Sequence, residues 1–282
     1  MTYAIEVSNL RKKFNQFQLN DISFSLPTGT IMGFVGENGA GKTTTIKCIL
    51  SLLKKDAGTI KIFGSNIKDD NLTIKEQIGV VFDDIHFPDT LTAQQINKFL
   101  QETYVNWDTS YYFDLLKQLK VTINKPIKEL SRGMKMKLSI IIALAHHPKL
   151  LILDEPTSGL DPIVRDEILD LFLEFMQDEK HSILFSSHIT SDLEKIADYI
   201  TFIHEGEILF SENKDVLLYE LGIWKGSKEQ SLELPTNAKI RSRESAYGVE
   251  ILVKRNEVSS AFQLDQPTIE EIMLFFVKGV RV

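Results

Sequence analysis

Eight consecutive residues, Gly36-Glu37-Asn38-Gly39-Ala40-Gly41-Lys42-Thr43, fit the pattern G-x-x-x-x-G-K-[ST] without a gap. Each part of that pattern has a physical task. The glycines let the backbone turn so that its N–H groups converge on phosphate oxygens, and a following helix adds its positive end. Lys42 brings a charge to the terminal phosphates, and the Thr43 hydroxyl is a ligand for Mg²⁺. Kinases, GTPases and recombinases all use this loop, so it implies nucleotide binding and nothing narrower.

A second chemical cluster closes the apolar run Leu150-Leu151-Ile152-Leu153 with Asp154 and Glu155. A buried parallel strand ending in acids presents them at its carboxyl end, where ligands bind in such sheets. Asp154 is placed to hold Mg²⁺, directly or through water, and Glu155 to polarise an attacking water as general base. Between the two clusters, Leu130-Ser131-Arg132-Gly133-Met134 opens a helical pattern with Ser131 as N-cap and Met134, Leu138, Ile141, Ile142 and Ala145 on one face. A serine hydroxyl at a helix N-terminus is a cap, and it is also a place for an anion.

The elements that must hold these residues follow from periodicity. Strands are expected at 4–7, 22–26, 30–35 and 58–63, and a helix at 42–53 with Ile46, Ile49, Leu50 and Leu53 inward. Residues 87–147 turn helical and aromatic, which marks an inserted helical subdomain. Strands return at 150–153, 182–186 and 200–204 with helices between them, the alternation of a covered parallel sheet and an α/β fold. Residues 222–234 are expected to be a linker, followed by a strand at 249–253 and an amphipathic helix at 268–277.

With these motifs in order, the chain resembles the nucleotide-binding subunit of an ABC transporter over residues 3–222. There the motif LSGGQ of one subunit closes over ATP held by the other; here it is LSRGM, keeping Ser131 and Gly133. The resemblance extends to Ser158-Gly159-Leu160-Asp161, like the family's loop after the catalytic glutamate, and to His188, like its γ-phosphate switch histidine. Phe14 is similar to the aromatic that stacks on adenine, and Thr44 joins the cofactor-binding set of the loop. The implied fold is a P-loop NTPase with a RecA-like parallel core, an antiparallel β subdomain, the helical insert and a small C-terminal extension. Residues 1–222 would form the ATPase domain, and 223–282 a linker with a small α+β accessory segment. The implied catalytic pair is Glu155 and His188, with ATP and Mg²⁺ as cofactors. The implied partners are a permease on a separate chain and a second ATPase, identical or paralogous, that completes a head-to-tail dimer.

One departure is chemical. The family places a glutamine after a pattern like IGYVPQ, whereas Ile78-Gly79-Val80-Val81-Phe82-Asp83-Asp84 places Asp83 there. An aspartate binds a hard cation strongly, so Asp83 is expected to keep the metal or linkage role alongside Thr43 and Asp154. That departure and the short C-terminal extension resemble the bacterial ABC-2-type exporters of peptides, antimicrobials and other amphiphiles. A soluble ABC ATPase acting on ribosomes or DNA is the competing class, and a small-molecule kinase is a third. The first usually has two cassettes or long coiled coils, and the second has no use for LSRGM.

Bulk composition, 43% hydrophobic and 25% charged, is that of an ordinary globular chain, which at a membrane would work from the surface. A net charge of -7 gives no basic footprint for nucleic acid. The apolar runs fall far short of the roughly 20 residues that span a bilayer, and the opening MTYAIEV soon reaches polar LRKKFNQ, so no leader is expected. The resemblance implies the cytoplasmic face of the cell membrane. The lone Cys48 excludes an internal disulfide and reads as a small core residue. His146 and His147 are adjacent, so their side chains diverge on a helix.

Overall fold

The computed structural model describes residues 2–66, 71–245 and 248–282. In chain order the strands are β1 Tyr3–Lys13, β2 Gln18–Pro27, β3 Ile31–Val35, β4 Ala57–Ile62, β5 Ser65–Asn66, β6 Ile78–Val81, β7 Leu150–Asp154, β8 Ser182–Ser187, β9 Tyr199–His204, β10 Glu207–Asn213, β11 Leu221–Gly226, β12 Lys239–Ser245, β13 Gly248–Lys254 and β14 Val280–Arg281. The helices are α1 Lys42–Ile49, α2 Leu72–Lys75, α3 Ala93–Leu100, α4 Thr109–Gln118, α5 Arg132–Leu144, α6 Pro162–Phe175, α7 Thr190–Ile196, α8 Lys228–Ser231 and α9 Ile269–Lys278.

The central sheet runs β10-β9-β3-β8-β7-β6, parallel except for the edge strand β10. Every residue of β3, β7 and β8 is buried. Unbroken apolar runs, without alternation, are what a sheet covered on both faces requires. Beside it lies the antiparallel sheet β2-β1-β4-β5, whose strands alternate as expected of one buried face. The helical insert holds its entry points by side-chain caps: Thr92 and Gln95 form a capping box on α3, Asp108 caps α4 and Ser131 caps α5.

Two helices differ from their sequence patterns. Helix α1 ends at Ile49, short of residue 53, because Ser51 turns left-handed and Lys47 O accepts from both Leu52 N–H and Leu53 N–H. Helix α5 is buried on more than the expected face: Met136, Lys137, Ile140, Ala143 and Leu144 are enclosed, while Met134 and Ile142 are only half-buried. Its neighbours are α4 on one side and β6 on the other. The histidine pair diverges as expected, with buried His146 Nε2 3.1 Å from Ile78 O and exposed His147 Nε2 3.1 Å from Asp108 Oδ2. Cys48 is a buried free thiol.

The expected linker at 222–234 is instead β11 and α8, and the boundary drawn at residue 222 falls inside β11. All six residues of β11 pair with β13, and Ile223 exchanges backbone hydrogen bonds with Asp265. Glycines at 222 and 226 hid the strand. Gly226 lies under the Trp224 ring, where a Cβ would come within 2.4 Å of it. The four-stranded sheet β11-β13-β12-β14 carries α9, and α9 joins the main core: Ile269, Ile272 and Phe275 cluster with Leu193, Ile200 and Phe202. Phe276 packs on Phe210 of β10 at 4.9 Å, and Ile269 N–H donates to Glu194 Oε1 at 2.8 Å. Truncating a fully buried aromatic costs about 3–5 kcal/mol. Phe275→Ala is therefore expected to lower the stability of the whole chain by about that much in one transition, checked by urea unfolding with tryptophan fluorescence and circular dichroism. Separate transitions would show that the tail is an independent unit.

Candidate nucleotide site

Strand β3 delivers the phosphate loop. At Gly36 a Cβ would lie 2.4 Å from Ile203 O on neighbouring β9, so only glycine fits. Gly39 and Gly41 have φ of +86° and +116°, in the region that disfavours side chains. A Cβ on Gly41 would also meet Leu19 and Phe17 at 2.6 and 2.9 Å. The loop leaves Glu37, Asn38 and Gly39 exposed and buries Ala40. Lys42 is only 6% exposed, folding back so that Nζ donates to Gly36 O at 2.7 Å and Glu37 O at 3.2 Å. Thr43 stands exposed at the start of α1, with Thr44 half-buried beside it.

The neighbouring strands bring the acids and the histidine to the same edge. Asp154 ends β7 and is buried, accepting a hydrogen bond from Ser186 Oγ at 3.1 Å on β8. Burial pushes its carboxyl above the usual carboxylate range. Hydrogen bonds from Thr43 and Ser186 pull the other way, and the charges of Glu155 and Asp83 push up again. Glu155 leaves the strand in the left-handed region, φ 55°, with its N–H donating to Ser186 O at 3.0 Å. That conformation costs a non-glycine residue about 1–2 kcal/mol. Both carboxylate oxygens are engaged. Oε1 lies 3.1 Å from Lys42 Nζ, and Oε2 lies 2.6 Å from His188 Nδ1. Lys42, Thr43, Asp154, Glu155 and His188 thus converge.

Phe14 lies at the side of this cluster. It is 42% exposed, stacked on Phe17 with centroids 6.4 Å apart, and Lys12 Nζ is 5.6 Å from its ring centre. Together with Phe17, Glu37, Asn38, Gly39 and Glu205 it lines a groove of about 670 Å³. Phe17 and Ser186 were not singled out from the sequence. A polar pair closing an apolar strand, Ser186-Ser187, is the signal that could have found the second.

Other expected site residues stand apart. Ser131 is exposed and accepts from Met134 N–H at 3.3 Å in its own helix, and Gly133 packs on Val164 of α6. Asp83 is exposed two residues past β6. It lines a separate cavity of about 320 Å³ with Asp84, Arg132 and Lys135, though its charge reaches Asp154.

The sequence profile described as ABC transporter matches residues 19–158. The bacitracin transport ATP-binding protein BcrA of Bacillus licheniformis is 36% identical over 213 residues, spanning 74% of this chain and 69% of that protein. The chain belongs to the ABC transporter family. The lantibiotic transport ATP-binding protein SrtF of Streptococcus pyogenes is also 36% identical, over 75% of this chain and 91% of its own. A solved ATP-binding subunit of an ABC transporter superposes with a TM-score of 0.68 at 28% identity, over 76% of this chain and 91% of that one. An ATP-binding cassette bound to ADP and Pi shares the fold, with a TM-score of 0.67 at 23% identity, over 74% and 98% of the two chains. This ABC subunit is thus an ATPase serving a membrane permease. Among the described residues no helix is long and apolar enough to cross a membrane.

The buried charge of Asp154 sets function against stability. Asp154→Asn keeps a partner for the Ser186 hydroxyl and removes the burial penalty. It is expected to raise the thermal midpoint at neutral pH while lowering ATP turnover at least about 100-fold, the scale of losing a charge-stabilising group. Because the native pKa is raised, the penalty is full above that pKa and shrinks as the pH falls from it towards the pKa of the unfolded chain, so the stability gain should fade over that interval and be gone below it. Calorimetry across pH with a phosphate-release assay checks both.

Proposed function

We propose that this chain powers export of a peptide, antimicrobial or other amphiphile through a permease on a separate chain, from the cytoplasmic face of the membrane. The observation that carries this reading is its 36% identity, over three quarters of its length, to ATP-binding proteins for bacitracin and lantibiotic transport. The ATPase unit runs to about residue 220, and the segment from Leu221 is its accessory.

ATP lies with its phosphates on the 36–43 loop, Lys42 and Thr44 beside them, and its base against Phe14. The donors around the phosphates are hard oxygens, as Mg²⁺ prefers. Thr43 and Asp154 would hold the ion, with Asp83 closing in from the 82–85 loop, and the bound ion neutralises phosphate charge. Glu155 takes a proton from the attacking water, and His188, hydrogen-bonded to it, orients the carboxylate and meets the γ-phosphate. Ser131, exposed at the start of α5, and half-buried Gly133 fit a role on ATP held by a second ATPase chain, identical or paralogous. Two ATP are then enclosed head to tail.

An apolar surface near β6 suits the permease. Leu50, Leu52, Ile78, Val80, Phe82 and Tyr104 line a cavity of about 240 Å³, and Leu52, Phe99 and Val105 nearby are largely exposed. Large exposed apolar patches mark interaction sites.

Glu155→Gln is expected to bind ATP, hydrolyse it at least about 100-fold more slowly, and accumulate as a dimer in size-exclusion chromatography with ATP. Normal turnover in that variant would remove Glu155 from its role. Tagged chain purified from its own membranes is expected to bring down a polytopic membrane protein, and Leu52→Asp to lose that partner while the isolated chain still hydrolyses ATP. Recovery of ribosomes or DNA in its place would overturn the transport reading.

A further inference from the structure

Helix α5 begins with the wrong charge. Arg132 and Lys135 occupy its first turn and no acidic residue does, although aligned amide dipoles disfavour cations there. What the guanidinium touches accounts for its place. A Cβ built on Gly159 would lie 2.6 Å from Nη1 and 2.7 Å from Cζ of Arg132, so the guanidinium lies directly on the glycine. Gly159 has φ +66° and follows a turn closed by Ser158 N–H donating to Glu155 O at 3.2 Å. That turn leads out of Glu155, itself left-handed. On the other side, Arg132 and Lys135 line a cavity of about 320 Å³ together with Asp83 and Asp84.

We propose that Arg132 is a positioning residue for Glu155: its guanidinium, laid on Gly159 at the rim of the cavity it shares with Asp83 and Asp84, braces the turn that presents the carboxylate to Lys42 and His188. The inference rests on the reading of Glu155 as general base. A left-handed residue at a strand end keeps its conformation only when its surroundings over-determine it. Ser186 O fixes the N–H side of Glu155, and the Arg132–Gly159 contact fixes the carbonyl side through the turn. The planar guanidinium is required, since an ammonium on a flexible stem cannot cover the glycine backbone in the same way.

The test is a mutant cycle on the full chain, with ATP turnover, ATP-analogue binding to the monomer and thermal unfolding measured together. Arg132→Ala and Arg132→Lys are each expected to lower kcat about tenfold, leave analogue affinity within about twofold, and barely move the unfolding midpoint. Gly159→Ala displaces the guanidinium and strains the turn. It should lower kcat in the wild type and far less in the Arg132→Ala background, because both changes break one link. Asp84→Asn should show the same dependence with a smaller drop. Unchanged kcat in Arg132→Ala, full activity in Arg132→Lys, or effects of Arg132→Ala and Gly159→Ala that simply multiply would overturn the proposal. Loss of analogue binding in step with kcat would also overturn it, by making Arg132 a nucleotide contact. If Glu155→Gln retains normal turnover, the general-base reading fails. If that variant is inactive and Arg132→Ala is not impaired, only the positioning role fails.

Discussion

The parallel register of β3, β8 and β7 places Val35 beside Ser187 and Ser186 beside Asp154, and nearly all of the site's chemistry follows from that alignment. Three segments far apart in sequence stop at one edge of the sheet. The phosphate loop leaves from the first, His188 from the second and Glu155 from the third. Backbone hydrogen bonds in a buried sheet tolerate no slip, because a one-residue shift would reverse every side chain. The ion pair from Glu155 to Lys42 and the hydrogen bond to His188 therefore form without any long-range adjustment of loops.

The same alignment explains why a buried acid is tolerated. Asp154 is surrounded by apolar strands and carries its charge at a cost, eased by hydroxyls on the adjacent chain ends. A carboxylate held this way has few protein partners to satisfy it. It suits a group that waits for a cation and phosphate oxygens to complete its surroundings.

Much of this was legible in the residues. The glycine spacing of the phosphate loop, the apolar run into Asp154 and Glu155, and the serine cap of α5 each have one natural local structure, and the structure has it. The parts that were not legible depend on neighbours distant in sequence. The expected linker at 222–234 begins inside strand β11, because Gly222 and Gly226 are turn formers in isolation, yet Gly226 is small because Trp224 covers it. The burial of α5 exceeded its periodicity because α4 and β6 both press on it. The sequence puts Asp83 in the metal set but does not show that the chain after β6 leaves it exposed, lining a cavity with Arg132 while its charge still reaches Asp154. Local patterns report what a segment can form; they do not report which way a loop leaves it.

Helix α9 packs its Ile272 and Phe275 into the hydrophobic cluster that also holds Phe202 of β9. A tail joined in this way cannot be exchanged between relatives as a module. A recombined chain carrying another tail would present mismatched volumes to β9, β10 and α7, and the ATPase would inherit the defect. Drift in the last sixty or so residues is thus constrained by the cassette, and any specialisation of the tail must have been accompanied by repacking in the motor itself.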